Sequence, residues 1–143
     1  MTDLDVDLMV LGAGSGGVRA ARMAAQLGAR VAVAEMAATG GTCVNVGCIP
    51  KKLYSIAAHY AEGFAEAPGF GWPANSPKLD WARLKSRRAA EILRLNGVYE
   101  NLLDGSGVTL LRGRARMASA NEVVVDLSDS DRRRQPEPQC GAH

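Results

Sequence analysis

The chain has 143 residues, 47% of them hydrophobic and 22% charged, which is enough for one compact domain and too apolar for a disordered tail. Seventeen Lys and Arg against fifteen Asp and Glu leave a net charge of +2, a balance that argues against a nucleic-acid partner. No window approaches the roughly 18 uninterrupted apolar residues of a membrane span, and Asp3, Asp5 and Asp7 stand where a secretory signal carries Lys or Arg. A cytoplasmic protein with no membrane contact is expected.

Asp7-Leu-Met-Val-Leu11 is a short apolar run that stops at Gly12, the pattern of a buried parallel strand. From Ser15 the positions Val18, Ala21, Ala24, Ala25 and Leu27 recur near a 3.6 period, which predicts a helix closed by Gly28. Arg30 to Glu35 reads as a second strand, and the three elements form a βαβ unit. A helical stretch follows from Thr42 to Ala67, with Pro50 expected to bend it or stop its first turns. Pro68 to Pro77 reads as a loop. Between Asp80 and Leu103 the apolar positions Leu84, Ile92, Leu95, Val98, Tyr99 and Leu102 alternate with Lys85, Arg87, Arg88 and Glu91, an amphipathic helix. Val108 to Leu111, Ala115 to Ala118 and Val123 to Val125 read as three short strands. Ser128 to His143 has no Val, Leu, Ile or aromatic residue and carries Arg132 to Arg134 beside two prolines, the composition of a disordered tail. The domain is therefore bounded at 1–127, with 128–143 outside it.

Gly12-Ala-Gly14-Ser15-Gly16-Gly17 matches Gly-x-Gly-x-x-Gly between a strand and a helix. There Gly12 permits a tight turn, Gly14 lets a pyrophosphate approach the backbone, and Gly17 lets helix and strand pack closely. The free N–H groups and the positive end of the helix suit phosphates. Glu35 lies 23 residues beyond Gly12, at the end of the second strand. A carboxylate there accepts hydrogen bonds from an adenosine ribose and disfavours a 2′-phosphate, so FAD or NAD is expected and not NADP. A flexible loop and a surface acid are the plainer readings of the same residues.

Cys43 and Cys48 lie five positions apart, and the third cysteine, Cys140, falls in the tail. Such a pair in a reducing compartment points to redox chemistry or metal. The four-residue gap is neither a zinc knuckle nor a thioredoxin-type motif, and only His59 and His143 are available to complete a metal site. Buried, unreactive cysteines are the other alternative. Residues i and i+5 are about 7.5 Å apart along an ideal helix axis, so bridging them requires a distorted turn, for which Gly47 and Pro50 supply the means. A thiol at a helix start has its thiolate stabilised, as a nucleophile in disulfide exchange requires.

With the residues Gly40-Gly-Thr-Cys43-Val-Asn-Val-Gly-Cys48-Ile-Pro50-Lys51-Lys52 in view, the chain resembles the amino-terminal part of the flavoprotein disulfide reductases. That family includes the glutathione, trypanothione, lipoamide and mercuric types. The similarity runs from about Asp7 to Asp126, and Pro50-Lys51-Lys52 resembles the glutathione and trypanothione types. The resemblance implies an α/β fold, a three-layer Rossmann-like FAD-binding domain that is incomplete at this length. It implies that Ser15, Gly16, Glu35, Thr42 and Cys43 line FAD, that Lys51 lies near the flavin edge, and that Ala115 contacts the cofactor through its backbone. Cys48 is then the thiolate that faces the flavin, and Cys43 the interchange thiol that attacks oxidised glutathione. Arg19 and Arg22 share a helical face suited to a ligand with two carboxylates, and Ser15, Arg22 and Tyr99 match positions that touch glutathione. A solvated arginine pair and a core tyrosine are the plainer alternatives. His59 is expected to be an ordinary half-buried histidine.

Family members are roughly three times as long. The resemblance places the NADPH domain, the interface domain of a homodimer and a His–Glu proton donor from the partner subunit outside this chain, so that alone it does not turn over NADPH. Past Asp126 the sequence leaves the family pattern, and a truncation or a shift of reading frame is expected there.

Overall fold

The structure, a computed structural model, describes residues 3–74 and 77–127. Its first strand, β1 (Leu8–Leu11), runs into the glycine turn and then helix α1 (Ser15–Gln26), and β2 (Val31–Glu35) returns parallel to β1 with Leu8 opposite Val31. The βαβ unit therefore forms where the apolar runs and glycines place it. Leu27 departs from the expected pattern. It is the C-cap of α1 and 87% exposed, because the chain leaves the helix there and turns at Gly28, whose φ is +94°. Ahead of β1, Arg30 donates to Asp5 and Asp7 and ties the approach strand to the start of β2.

The long helical stretch is interrupted before the proline, not at it. Helix α2 (Gly41–Asn45) ends, Val46 and Gly47 break the chain direction, and α3 (Cys48–Glu66) begins. Pro50 is buried within the first turn of α3. Its missing N–H is harmless in a turn whose amides have no helical partner, and the first i→i−4 bond, from the Lys51 N–H to the Gly47 carbonyl, follows it at 3.0 Å. A short 3₁₀ turn (Ala67–Phe70) occupies the start of the expected loop. Helix α4 (Trp81–Asp104) is capped by Asp80, whose carboxylate accepts from the Arg83 N–H at 2.9 Å. Its most buried residue is Leu103 at 0% exposure, while Val98 is exposed.

The first two of the three expected strands are one continuous strand, and the third stays separate. β3 (Thr109–Met117) is continuous and takes in both Leu111 and Ala115, and β4 (Val123–Leu127) pairs with it antiparallel. The first half of β3 lies parallel to β2, and the second half runs past Glu35 to pair with β4. Gly113 is where the partner changes. A Cβ there would overlap the Asp126 carbonyl, so glycine is required by the close approach of β4. The sheet order is β1-β2-β3-β4, with β1 at an edge among the described residues.

β2 is buried throughout. On one face Val31 and Val33 pack with Ala13, Val18 and Ala21 of the glycine turn and α1, with Leu103 at the end of α4, and with Val108 just before β3. Removing a fully buried leucine such as Leu103 destabilises a core by about 2–5 kcal/mol. The architecture is a mixed α/β sheet of the Rossmann-like kind. The tail expected from Ser128, with Cys140, lies outside the described residues.

Candidate active site

The end of β1 and the start of α1 make a turn whose glycines each have a separate cause. Gly12 has φ +103° and donates its N–H to the Ala34 carbonyl at 2.8 Å. A Cβ at Gly17 would overlap the Gly12 carbonyl and meet the Val10 side chain at 3.2 Å. Among the described residues no side chain caps α1, and the first helical bond is from Val18 N–H to the Gly14 carbonyl. The N–H groups of Ser15, Gly16 and Gly17 are thus left at the helix start, with Ser15 and Gly16 exposed. That is the geometry of a phosphate cradle.

Glu35 is 9% exposed, not a surface acid. Its Oε2 accepts from the Ala13 N–H at 2.7 Å and its Oε1 from the Ala37 N–H at 2.8 Å. The carboxylate therefore locks the middle of the glycine turn to the end of β2. A carboxylate has about four acceptor positions, so two such bonds leave capacity for ribose hydroxyls.

A second glycine pair completes the arrangement. Gly40 donates its N–H to the Ala13 carbonyl at 2.8 Å and bridges to Gly14. A Cβ at Gly41, where φ is +64°, would lie 2.8 Å from Gly14 Cα. Backbone meets backbone here, and helix α2, carrying Thr42 and Cys43, starts at this contact. Thr42 is exposed and Cys43 half-buried.

Cys43 and Cys48 are joined in a disulfide, with their Cα atoms 4.6 Å apart. The break at Val46–Gly47 brings them closer than a regular helix allows. A Cβ at Gly47 would sit 3.1 Å from the Thr42 carbonyl, so the tight return favours glycine. Cys48 is the first residue of α3 and is exposed, whereas Cys43 sits on α2 beside the glycine turn. The two sulfurs thus stand in different surroundings. A thiolate at Cys48 would lie at the positive end of a 19-residue helix.

The model of the pyridine nucleotide-disulphide oxidoreductases matches residues 6–134. The chain belongs to that family. It is 50% identical over 125 residues to a glutathione reductase of Burkholderia cepacia, covering 87% of this chain and 28% of the relative. It is 45% identical over 133 residues to the chloroplastic/mitochondrial glutathione reductase of Pisum sativum, covering 85% of this chain and 24% of that protein. The glutathione reductase of a Nostoc species is 41% identical over 121 residues, covering 85% and 26%. The chain spans about a quarter of the length of these curated relatives.

The remaining residues that suggested the family are spread around this centre. Lys51 is exposed on α3, three positions beyond Cys48 and on the same helical face. Ala115 lies in the ribbon half of β3, opposite Val125. Arg22 donates from Nε to Ser106 Oγ at 3.3 Å, and that hydroxyl donates to the Leu102 carbonyl. Tyr99 is half-buried and packs against the core cluster, so both are held at the α1–α4 contact. Arg19 is exposed. His59 is exposed, not half-buried, on an open apolar groove of about 740 Å³ with Ile56, Tyr60, Phe64 and Trp72. No helix among the described residues is long and apolar enough to cross a membrane.

Sequence reasoning missed the Gly40–Gly41 contact with Gly14. The signal was a glycine pair directly before the first cysteine. It also missed Asn45 and Asn96, polar residues from α2 and α4 that meet beside Thr39.

Proposed function

We propose that this chain is the amino-terminal part of an FAD-dependent glutathione reductase, in which the Cys43–Cys48 pair carries electrons from NADPH to glutathione disulfide. The observation that carries the reading is the backbone contact of Gly41 with Gly14, which sets the cysteine-bearing helix directly on the dinucleotide turn. In this reading Gly12, Gly14, Ser15, Gly16 and Gly17 receive the pyrophosphate and Glu35 the ribose, while Thr42, Cys43, Lys51 and Ala115 line the rest of FAD. The fit is supported by the uncapped start of α1, with Ser15 and Gly16 exposed there, and by the open space in front of Gly12 and Gly16.

When bound, the flavin supplies the electron pair that opens the Cys43–Cys48 bond. The Cys43 thiolate then attacks one sulfur of glutathione disulfide, forming a mixed disulfide and releasing one glutathione, which takes a proton. The Cys48 thiolate attacks the Cys43 sulfur, the second glutathione leaves and takes a proton, and the Cys43–Cys48 bond is restored. The helix start at Cys48 favours the waiting thiolate through this cycle. Ser15, Arg22 and Tyr99 contact the glutathione disulfide, with Arg22 answering its carboxylates. NADPH binding, the second subunit of a homodimer and the proton donor are assigned to none of the residues named here, and the setting is the cytosol.

A second reading, carried by the uncapped glycine turn and Glu35 alone, is FAD binding without turnover. One experiment separates the two. The chain is joined to the remaining domains of the Burkholderia cepacia relative and NADPH oxidation is followed with glutathione disulfide. Turnover that disappears in Cys48→Ser while the flavin absorbance stays supports the reductase. A folded yellow chimera without turnover, or one indifferent to Cys48→Ser, refutes it.

A further inference from the structure

None of the roles above uses the hydrogen-bonded clamp that α4 places on the segment carrying Cys43. Asn96, half-buried in the middle of α4, donates from Nδ2 to the Thr39 carbonyl at 2.6 Å and to Asn45 Oδ1 at 2.9 Å. Asn45 is the last residue of α2 and donates to the Gly41 carbonyl at 2.8 Å. One turn along α4, Glu100 accepts from Thr39 Oγ1 at 3.3 Å and pairs with Arg112 of β3 at 2.6 Å. Thr39 itself is fully buried. Residues i and i+4 share a helical face, so Asn96 and Glu100 grip the same stretch of chain, and Asn96 reaches both ends of α2.

A primary amide suits this position because its two N–H donors match two acceptors, the Thr39 carbonyl and Asn45 Oδ1. The link between α2 and α3 is only Val46 and Gly47. The orientation of α2 is therefore set from outside by the glycine contact at its start and by Asn96 at its end. Cys43 rides between these two fixed points.

We infer that Asn96 is a positioning residue that holds Cys43 within bonding reach of Cys48 and so favours the closed disulfide over the open dithiol. The inference rests on the reading of Cys43–Cys48 as the redox pair. An internal disulfide is favoured in proportion to the effective concentration of one thiol at the other, and a freely rocking α2 lowers that concentration. Exchange with dithiothreitol reads it directly. The protein disulfide and the reduced reagent give two protein thiols and one cyclic reagent disulfide, with two electrons and two protons passing to the protein.

The test equilibrates the chain with mixtures of reduced and oxidised dithiothreitol and counts protein thiols after acid quenching. The near-isosteric Asn96→Leu removes both donors, and its pair becomes about tenfold easier to reduce, a shift of about 30 mV. Asp80→Ala, which loosens the first turn of the same helix without touching Thr39 or Asn45, leaves the midpoint unchanged. Asn96→Leu within twofold of the parent overturns the inference while the redox pair stands, as does an Asp80→Ala shift of equal size. A parent whose thiol count ignores the reagent defeats the redox reading itself, and the inference with it. Where circular dichroism shows Asn96→Leu unfolded, Asn96→Ser is judged by the same twofold criterion.

Discussion

Gly41→Ala tests the contact on which the site is built. At φ +64° an L-residue is strained, by about 1–2 kcal/mol. The added Cβ lies 2.8 Å from Gly14 Cα, about 1 Å inside ordinary carbon–carbon contact, and relieving such overlap costs about 1–3 kcal/mol more. The sum is about 2–5 kcal/mol, a large share of the roughly 5–15 kcal/mol that holds a domain together. With a urea slope of about 1.5 kcal/mol per molar, the unfolding midpoint falls by roughly 1.5–3 M, read by far-ultraviolet circular dichroism. Gly28→Ala separates the two causes, because Gly28 also has positive φ, +94°, but a Cβ there meets nothing within 4 Å. It loses only the conformational part, about 1–2 kcal/mol. A Gly41→Ala midpoint no lower than that of Gly28→Ala refutes the close-approach argument.

The other perturbations address the sheet and its charges. Glu35→Gln turns an amide N–H₂ toward one of the two N–H donors now held by the carboxylate. It lowers stability by about 2–3 kcal/mol in urea titrations, and a parent-like midpoint contradicts the lock. Gly113→Val drives a side chain into the Asp126 carbonyl and costs about 2–4 kcal/mol; amide exchange in β4 accelerates, and unchanged protection there counts against the pairing. Asp7 is held at about 2, first by its side-chain bond with Arg30 and then by the Arg30 backbone N–H. Because the folded value lies below the unfolded one of about 3.9, the stabilisation is present above pH ~4 and is lost as pH falls toward 2. Asp7→Asn therefore melts below the parent at pH 7, and the gap narrows as pH falls toward 2; a gap at pH 2 as wide as that at pH 7 is incompatible with this pair.

The βαβ unit was legible because its signals are local: an apolar run, glycines at fixed offsets, a 3.6-residue period and an acid at the second strand's end. Expectation failed where a distant segment decides the outcome. Pro50 looked like the helix breaker, yet a first turn tolerates proline, and the break falls at Val46–Gly47 where the disulfide needs it. The gap between the expected strands ending at Leu111 and starting at Ala115 is itself strand, and Gly113 within it is the place where β4 comes close. Leu103 belongs to the core because α4 crosses α1 at that depth, which the spacing of α4 alone does not reveal. In the site, Cys43, Cys48 and Glu35 were recognisable by type and spacing. Asn96 was not, since its partners Asn45 and Thr39 lie 51 and 57 residues away and an asparagine in a helix is unremarkable by itself.

The edge position of β1 has a bearing on how the protein behaves in concentrated solution. Among the described residues Leu-Met-Val-Leu has β2 on one side only, with Leu8 and Leu11 exposed, and a bare apolar edge is a template for stacking with other molecules. The Asp5–Arg30–Asp7 knot at its mouth acts as a gatekeeper, placing fixed charge where a second strand must dock. Acidification that discharges Asp7 removes part of that guard and leaves the β1 edge more open to pairing with another strand.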